Sequence, residues 1–184
     1  MRTSRDARLA NLLGAVATGL ADRVADSVDT TALDDRARMA LVALLDFSPK
    51  GSVHTLSQVV GLTHSGAVRL VDRLVDAGYV RRRPGADDRS VSIGLTRSGR
   101  LVANRVRDRR QDAITDAMTD LSDRQRDDLV RACETIVANL TRERLDRRAA
   151  GERPSGGALC RMCDFAACGR PAGRCPAAGA VVQR

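Results

Sequence analysis

Aromatic side chains are almost missing from this sequence. Its 184 residues include no tryptophan, one tyrosine and two phenylalanines. Proteins that hold single-stranded nucleic acid stack the bases on aromatic rings. With so few rings, the chain is not expected to bind single strands in this way, and duplex DNA is the better nucleic-acid candidate.

Long apolar runs are missing too. A membrane-spanning helix needs about 20 mostly apolar residues in succession, and the sequence has no such run. The N-terminal region begins with basic and then apolar residues, but Asp6, Asp22 and Asp26 interrupt it, which argues against a signal peptide. We therefore expect a cytoplasmic protein with no membrane partner.

The residue patterns of catalytic sites are also not visible. His54 and His64 are the only histidines, and neither belongs to a recognisable nucleophile–base pair. The sequence shows no glycine-rich loop of the kind that cradles phosphates. It thus predicts a protein that is not an enzyme.

Positive charge is in excess. Lys and Arg total 31 against 23 Asp and Glu, which gives a formal net charge of +8. A basic balance of this size favours an anionic polymer as partner. The length suits one main domain with an appendage.

Apolar residues at helical spacing predict a long helix near the N-terminus. The series is Leu9, Leu12, Leu13, Val16, Leu20, Val24 and Val28. A second helix is predicted to begin after Thr30 or Thr31, since either hydroxyl could cap it.

Two more long helices are predicted in the second half of the chain. One begins at Thr96 or Ser98 and ends near Met118, and the next opens with a capping box formed by Ser122 and Gln125. These helices and the first are amphipathic, and the chain offers little other core material to cover them. We therefore expect their apolar stripes to pack on a second copy in a homodimer.

A helix-turn-helix pattern lies in the centre of the chain. The segments TLSQVVGL and THSGAVRLVDRLVDAG are separated by a turn at Gly61 and Leu62. Gly78 follows the second helix at the position that favours a left-handed residue. The segments YVRRR, PGADD and RSVSIGLT then predict two strands and an exposed loop over residues 80–95, which is a wing.

One face of the helix over residues 63–77 is polar and suits the major groove. Thr63 can cap this helix, while Arg69 and Arg73, one turn apart, are the best candidates for contact with bases or phosphates. The alternative is a solvated helix face on which neighbouring aspartates compensate the arginine charge.

The wing adds further basic residues. An arginine at the tip of a hairpin can enter the minor groove, and Asp87 could hold Arg89 in place by a bidentate contact. The predicted DNA-binding residues are Thr63, His64, Ser65, Arg69, Arg73, Arg82, Arg83, Asp87 and Arg89.

The stretch LSQVVGLTHSGAVRLVDRLVDAGYVRRRPGADDRSVSIGLTRSGR resembles the MarR family of winged helix-turn-helix regulators. It contains, in order, a short helix ending at a Leu-Thr turn, the pattern VxLVDRLxxxGxVxR, DxR at the wing tip and LTxxG. The resemblance covers roughly residues 5–147. It places the recognition helix at residues 63–77 and the wing-tip pair at Asp87 and Arg89.

This resemblance implies a DNA-binding transcriptional regulator. It implies an obligate dimer, built from the first and last helices, that binds a pseudo-palindromic operator on double-stranded DNA as a repressor or occasionally an activator. It also implies a small-molecule effector, commonly a phenolic or other anionic compound.

Four of the five cysteines lie close together near the C-terminus, with the spacing C-x2-C-x4-C-x6-C. Two cysteines separated by two residues can direct both sulfurs at one ion, and the glycines farther on let the chain fold back. The predicted metal ligands are Cys160, Cys163, Cys168 and Cys175.

Three interpretations of this segment remain open. The first is a zinc site, structural or redox-labile. The second is an iron–sulfur cluster, favoured by the proline that follows Cys175. The third is two disulfides, or reduced thiols in a loose tail. A metal or redox sensor that modulates DNA binding is the expected role, and the alternative function for the whole chain is a redox or electron-transfer protein with an iron–sulfur cluster.

The sequence therefore predicts a mostly α fold with a small β-wing. A winged helix-turn-helix domain with long dimerisation helices occupies residues 1–147. A linker over 148–158 joins it to a small four-cysteine module over 159–176, which is followed by a loose tail over 177–184. Cys133, on the apolar stripe of the last long helix, is expected to be a buried core thiol.

Overall fold

Helices make up most of the computed structural model, which describes residues 3–27, 33–49, 51–84, 91–152 and 156–182. Their bounds are α1 (Ser4–Ser27), α2 (Asp35–Asp46), α3 (Val53–Val60), α4 (His64–Asp76), α5 (Arg97–Asp116), α6 (Asp123–Ala149) and α7 (Pro176–Val182). Two strands, β1 (Val80–Pro84) and β2 (Val91–Leu95), and a 3-10 turn at Arg170–Ala172 complete these elements. The predicted mostly α fold with a small β-wing is confirmed. In the part of the chain that is described, no helix is long and apolar enough to cross a membrane.

The two strands form the antiparallel wing. Val80 pairs with Leu95, and Pro84 pairs with Val91. Val80, Ile93 and Leu95 are buried, so the base of the wing packs on the core, while the rest of β1 is exposed. This arrangement leaves a row of arginines on the surface.

The start of α2 differs from the sequence prediction. Asp34, not Thr30 or Thr31, is the N-cap: its backbone is extended and its carboxylate accepts a hydrogen bond from Ala37 N at 2.8 Å. The two threonines lie outside the described residues. Aspartate caps a helix at least as well as threonine, so the nearer acidic residue takes this position.

The predicted starts of the two later helices are confirmed. Thr96 Oγ1 accepts from Gly99 N at 3.0 Å and so caps α5. At the start of α6, Ser122 Oγ accepts from Gln125 N, and the Gln125 side chain accepts from Ser122 N at 2.9 Å. Both backbone N–H groups are satisfied by this reciprocal capping box.

The chain divides into two compact units. The first consists of residues 1–32 and 108–121, and the second of residues 33–107 and 122–184. Within the first unit, Arg23 of α1 donates through Nε to the Ala113 carbonyl at 2.8 Å and lies 3.6 Å from the Asp116 carboxylate. The same helix leaves its apolar stripe exposed, at Leu9, Leu12, Leu13 and Val16.

The core of the second unit is built around the helix-turn-helix. α2, α3, α4 and the base of the wing contribute side chains that are almost wholly buried. The largest of them are Leu41, Leu44, Leu56, Val71, Leu74 and Ile93. Burial of such aliphatic groups stabilises a fold by about 1.5–3 kcal/mol each, so this core fixes the position of α4.

The C-terminal region is more ordered than the sequence predicts. α6 continues two residues past the predicted end of the main domain, to Ala149. The predicted loose tail is wrong for residues 177–182, which belong to α7, with Ala177 and Ala180 buried. The Ala- and Val-rich composition of α7 supplies an apolar face, and proline at its first position costs no hydrogen bond.

Candidate nucleic-acid interface and cysteine segment

The turn before α4 fixes where this helix begins. Gly61 caps α3 with φ +72°, a left-handed conformation that glycine adopts without strain. Thr63 then caps α4, since its hydroxyl accepts from Gly66 N at 3.1 Å. The capping role predicted for Thr63 is confirmed.

The two faces of α4 are as the sequence predicts. Ala67, Leu70, Val71 and Leu74 are buried. The predicted polar residues Thr63, His64, Ser65, Arg69 and Arg73 are all exposed. They stand near the N-terminal end and along one side of the helix, where donors can meet an incoming duplex.

A groove of about 420 Å³ runs along this side of α4. Arg69, Arg73 and Asp72 line it, together with Arg36 of α2 and Leu62. Arg36 was not among the residues predicted from the sequence. The sequence of α2 does not indicate that Arg36 lies beside α4, because the two helices come together only through tertiary contacts.

Two arginines on this surface are paired with carboxylates. Arg73 Nη2 lies 3.0 Å from Asp34 Oδ2, and Arg82 of β1 pairs with Asp72 of α4. All four side chains remain roughly half exposed. Ion pairs between half-exposed side chains contribute little to stability, so the phosphates of a bound DNA could compete for the arginines.

Asp34 is held ionised by its surroundings. The hydrogen bond from Ala37 N lowers the pKa of Asp34 most, burial raises it, and the hydrogen bond and the charge of Arg73 lower it further. The same carboxylate thus caps α2 and neutralises part of the arginine charge on the exposed side of α4.

The wing presents Arg82 and Arg83 to solvent. Asp87 and Arg89, the predicted wing-tip pair, lie outside the described residues. Their role therefore stays a prediction.

The four C-terminal cysteines are free thiols, as is Cys133. Cys160, Cys163 and Cys168 are half-buried and Cys175 is buried. Burial raises the pKa of the Cys160 thiol, against the opposing charge of Arg170. Burial also raises the pKa of Cys168, and the neighbouring Cys175 thiol adds to this shift.

The thiols are neighbours, but they are not gathered around one point. Among the residues that the structure describes, no group of three or more His, Cys, Asp and Glu side chains is placed to hold a metal ion. Zinc and iron–sulfur ligation by Cys160, Cys163, Cys168 and Cys175 therefore remains a prediction.

The cysteine segment packs against the end of α2 and against α5. The Phe165 ring meets Phe47, at the end of α2, edge to face at 5.7 Å, and the guanidinium of Arg170 lies over both rings. Arg107 of α5 approaches Asp46 and Asp164, at 3.4 and 3.8 Å. This contact surface has no counterpart in the sequence prediction, which joined the segment only to the last long helix.

Cys133 is exposed on α6, and the prediction of a buried thiol is wrong for the single chain. No residue of α6 is buried. Its neighbours on the apolar stripe, Leu129, Val130, Ile136 and Leu140, are also exposed.

Comparison with known proteins finds a match to one family and a similar fold among solved structures. The MarR family sequence model matches residues 33–90. The fold is similar to that of a MarR family protein from Bacillus stearothermophilus, with a TM-score of 0.68 and 26% identity over 77% of this chain and 99% of that one. No curated protein sequence matches the chain.

Two other solved structures have the same fold. RV1404 from Mycobacterium tuberculosis gives a TM-score of 0.59 and 24% identity over 84% of this chain and 99% of its own. A mutant of S. aureus MepR bound to an oligodeoxyribonucleotide gives a TM-score of 0.55 and 14% identity over 72% of this chain and 97% of its own.

Proposed function

Residues 33–90 of this chain belong to the MarR family, and from that premise we propose that the protein is a sequence-specific regulator of transcription. It binds a pseudo-palindromic operator on double-stranded DNA as a homodimer and acts as a repressor in the cytoplasm. The observation that carries the proposal is the exposed polar side of α4, with Arg69 and Arg73, beside the exposed arginines of the wing.

In this proposal α4 enters the major groove. The capped N-terminus, with Thr63, His64 and Ser65, offers donors to phosphates or base edges, while Arg69 and Arg73 supply positive charge one turn farther on. Arg82 and Arg83 bring the wing to the adjoining backbone. Asp87 and Arg89 would read the minor groove.

The exposed apolar stripes of α1 and α6 support a dimer. Leu12 is 52% exposed and Val130 is 55% exposed in the single chain. Apolar rows of this extent are normally covered in solution by another surface. A dimer would present two copies of α4 to half-sites about 34 Å apart, one turn of DNA.

The cysteine segment is proposed to modulate this activity through a metal or its redox state. Zinc held by Cys160, Cys163, Cys168 and Cys175 is the first choice, and an iron–sulfur cluster is the alternative. Support comes from the chemistry of four free thiols in a segment that packs on the end of α2. The small-molecule effector implied by the family stays a prediction.

The test of the DNA-binding proposal begins with selection of bound duplexes from a random library. Fluorescence anisotropy on the selected duplex then compares the wild type with Arg69→Ala and Arg73→Ala. Each lost contact is expected to cost about 1–3 kcal/mol, or roughly 5- to 150-fold in affinity.

Arg131→Ala is the matched control, because Arg131 lies on α6 and its side chain pairs with Asp128 of the same helix. It should leave DNA affinity unchanged. Selection of no duplex by the wild type would refute the proposal, and equal affinity of all three variants would refute the site assignment.

A further inference from the structure

A cavity of about 120 Å³ lies between the end of α6 and the residues that follow it. One wall is formed by α6, where Thr141 and Leu145 contribute side chains. The other wall is formed by residues 158–160 and by α7, which packs along α6. All of these residues belong to the second unit, so the cavity lies within a packed interface of one chain. We call it the α6–α7 cavity.

Three guanidinium groups surround the α6–α7 cavity. Arg144 and Arg148 come from α6, where they lie one turn apart, and Arg170 comes from the 3-10 turn. Among the described residues that line the cavity, none is Asp or Glu. Like charges brought together where solvent is partly excluded repel one another, so an anion bound between them would be stabilised.

The present partners of two of these arginines leave their charge in place. Arg144 Nη1 donates to the Gly157 carbonyl, and Arg170 Nη1 lies 3.6 Å from Cys160 Sγ. Both acceptors are neutral groups. A guanidinium has five N–H donors in a fork that matches a carboxylate. The two side chains are therefore held at the cavity with donors to spare.

The rest of the lining is mainly apolar. Leu145, Leu159 and Ala178 are half-buried, and Ala177 is buried. An apolar cavity of about 150 Å³ holds one benzene molecule, so a cavity of this size suits an apolar body of about four to six carbon atoms. None of the lining residues is aromatic, and the walls are therefore suited to an aliphatic chain.

The cavity opens to solvent beside a positive charge. Arg148 is exposed, as is Val181 of α7, whereas Arg144 and Arg170 are half-buried. An anion that enters thus meets Arg148 first and the other two guanidinium groups farther in. Small-molecule sites commonly combine apolar walls with a few charged groups that fix orientation.

We propose that the α6–α7 cavity binds a small aliphatic carboxylate. The carboxylate is held by Arg148 with Arg144 and Arg170, and the chain lies against Leu145 and Leu159. Charge-assisted bonds from a guanidinium to a carboxylate are among the strongest hydrogen bonds in proteins. Binding at this cavity requires neither a metal ion nor DNA.

The first measurement is titration calorimetry of the full-length protein with hexanoate at fixed ionic strength. One hexanoate should bind per chain. Hexanamide has the same shape without the charge and should bind at least tenfold more weakly, because the bonds to ionised groups are lost. Equal binding of hexanamide, or displacement of hexanoate by an equal concentration of inorganic phosphate, would overturn the proposal.

Chain length tests the size of the cavity. Affinity should rise about fourfold for each methylene from butanoate to hexanoate, as each group leaves water. It should then fall for decanoate, whose chain is too long for the cavity. Affinity that continues to rise through decanoate would indicate an open apolar surface and would exclude the cavity as the site.

Arg148→Gln tests the charge at the opening. It should weaken hexanoate binding about 10- to 100-fold, because one charged donor is lost. Arg142→Gln is the matched control, since Arg142 is exposed on the same helix and its side chain donates to Asn139. Wild-type affinity in Arg148→Gln, or an equal loss in both variants, would overturn the site.

Ala178→Leu tests the cavity itself. The larger side chain fills the space while all three arginines remain, so hexanoate binding should be lost. Gly179→Ala is the control, because a Cβ there meets nothing within 4 Å, and it should bind as the wild type does. Hexanoate binding retained by a folded Ala178→Leu protein would place the site elsewhere; if this variant does not fold, Arg148→Gln decides.

Hydrogen exchange locates the bound anion without DNA. Hexanoate should slow amide exchange in α7 and at the end of α6, because a ligand stabilises the elements that it contacts. If hexanoate binds and no duplex is selected, only the proposed function fails. If a duplex is selected and hexanoate changes no exchange rate in α6 or α7, only the carboxylate site fails.

Discussion

Arg73 on α4 and Asp34 at the start of α2 form an ion pair of 3.0 Å across the proposed DNA surface. The same Asp34 carboxylate accepts from Ala37 N and so caps α2. Asp34 therefore affects both the stability of α2 and the positive charge that Arg73 offers to DNA.

Replacement of Asp34 by asparagine should raise DNA affinity about two- to threefold. Asparagine caps helices as well as aspartate does, so α2 is retained, while Arg73 loses a competing carboxylate and phosphates gain a free guanidinium. Fluorescence anisotropy on the selected duplex measures the change. Asp35→Asn is the control for charge, since Asp35 pairs with Arg38; equal gains in both variants would show only a general charge effect.

The lowered pKa of Asp34 gives a pH dependence with a defined sign. A carboxyl with a depressed folded-state pKa stabilises the fold above its unfolded value of about 3.9, and this is lost as pH falls through the folded value. The stability difference between wild type and Asp34→Asn should thus be constant near neutral pH and shrink below about pH 4. Urea unfolding at several pH values tests this, and a difference that grows on acidification would contradict it.

Arg89 at the wing tip is predicted to contact the minor groove. Arg89→Ala should weaken operator binding and reduce the slope of log affinity against log salt by about 1, because one phosphate or groove contact is lost. Arg73→Ala should act in the same way, without unfolding the dimer. Binding isotherms at several salt concentrations measure the slope, and an unchanged slope in both variants would remove these residues from the interface.

The exposed apolar stripes predict the effect of charge at the proposed dimer interface. Leu12→Glu or Val130→Glu should convert the dimer to monomers, because a buried unpaired carboxylate is costly at an apolar contact. Light scattering coupled to size exclusion gives the mass directly. Arg8→Glu, at another exposed position of α1, is the control, and dimers that persist in both apolar variants would place the interface elsewhere.

Loss of the Phe165 ring should destabilise the second unit. Phe165 contacts Phe47 edge to face, and Arg170 lies over both rings. Phe165→Ala removes one aromatic pair and one cation–π contact and should lower the free energy of unfolding by about 1–3 kcal/mol. Phe165→Tyr keeps the ring and should cost much less; equal losses in thermal unfolding would show that the contacts are not the cause.

Local signals in the sequence predicted the recognition region well. Thr63, the apolar positions of α4 and the capping box of Ser122 with Gln125 depend on residues three or four apart. Residues at this spacing meet within one turn of a helix, so their contacts can be predicted from the sequence without a tertiary structure. The predicted start of α2 was wrong because Asp34, Thr30 and Thr31 are all residues that cap helices well. The local sequence does not show which of the three takes the N-cap position.

The tail and linker were harder to predict. Alanine, glycine and proline there indicate weak local preference for any one secondary structure, yet α7 forms and Gly157 packs closely on the backbone of α3. Their order comes from contact with distant residues. Val59, which accepts from Ala158 N, is 99 positions away in the sequence and gives no sign of its partner.

The sequence by itself determined α1 to α6, the wing and the exposed polar side of α4, because these follow from periodicity, capping and turn chemistry over a few residues. Only the tertiary structure decided that Asp34 holds Arg73, that the cysteine segment lies against the end of α2, and that Ala158 bonds to α3. Those relationships depend on which surfaces meet after the core has formed. A hydrogen bond between residues far apart in the chain leaves no periodic pattern in the sequence.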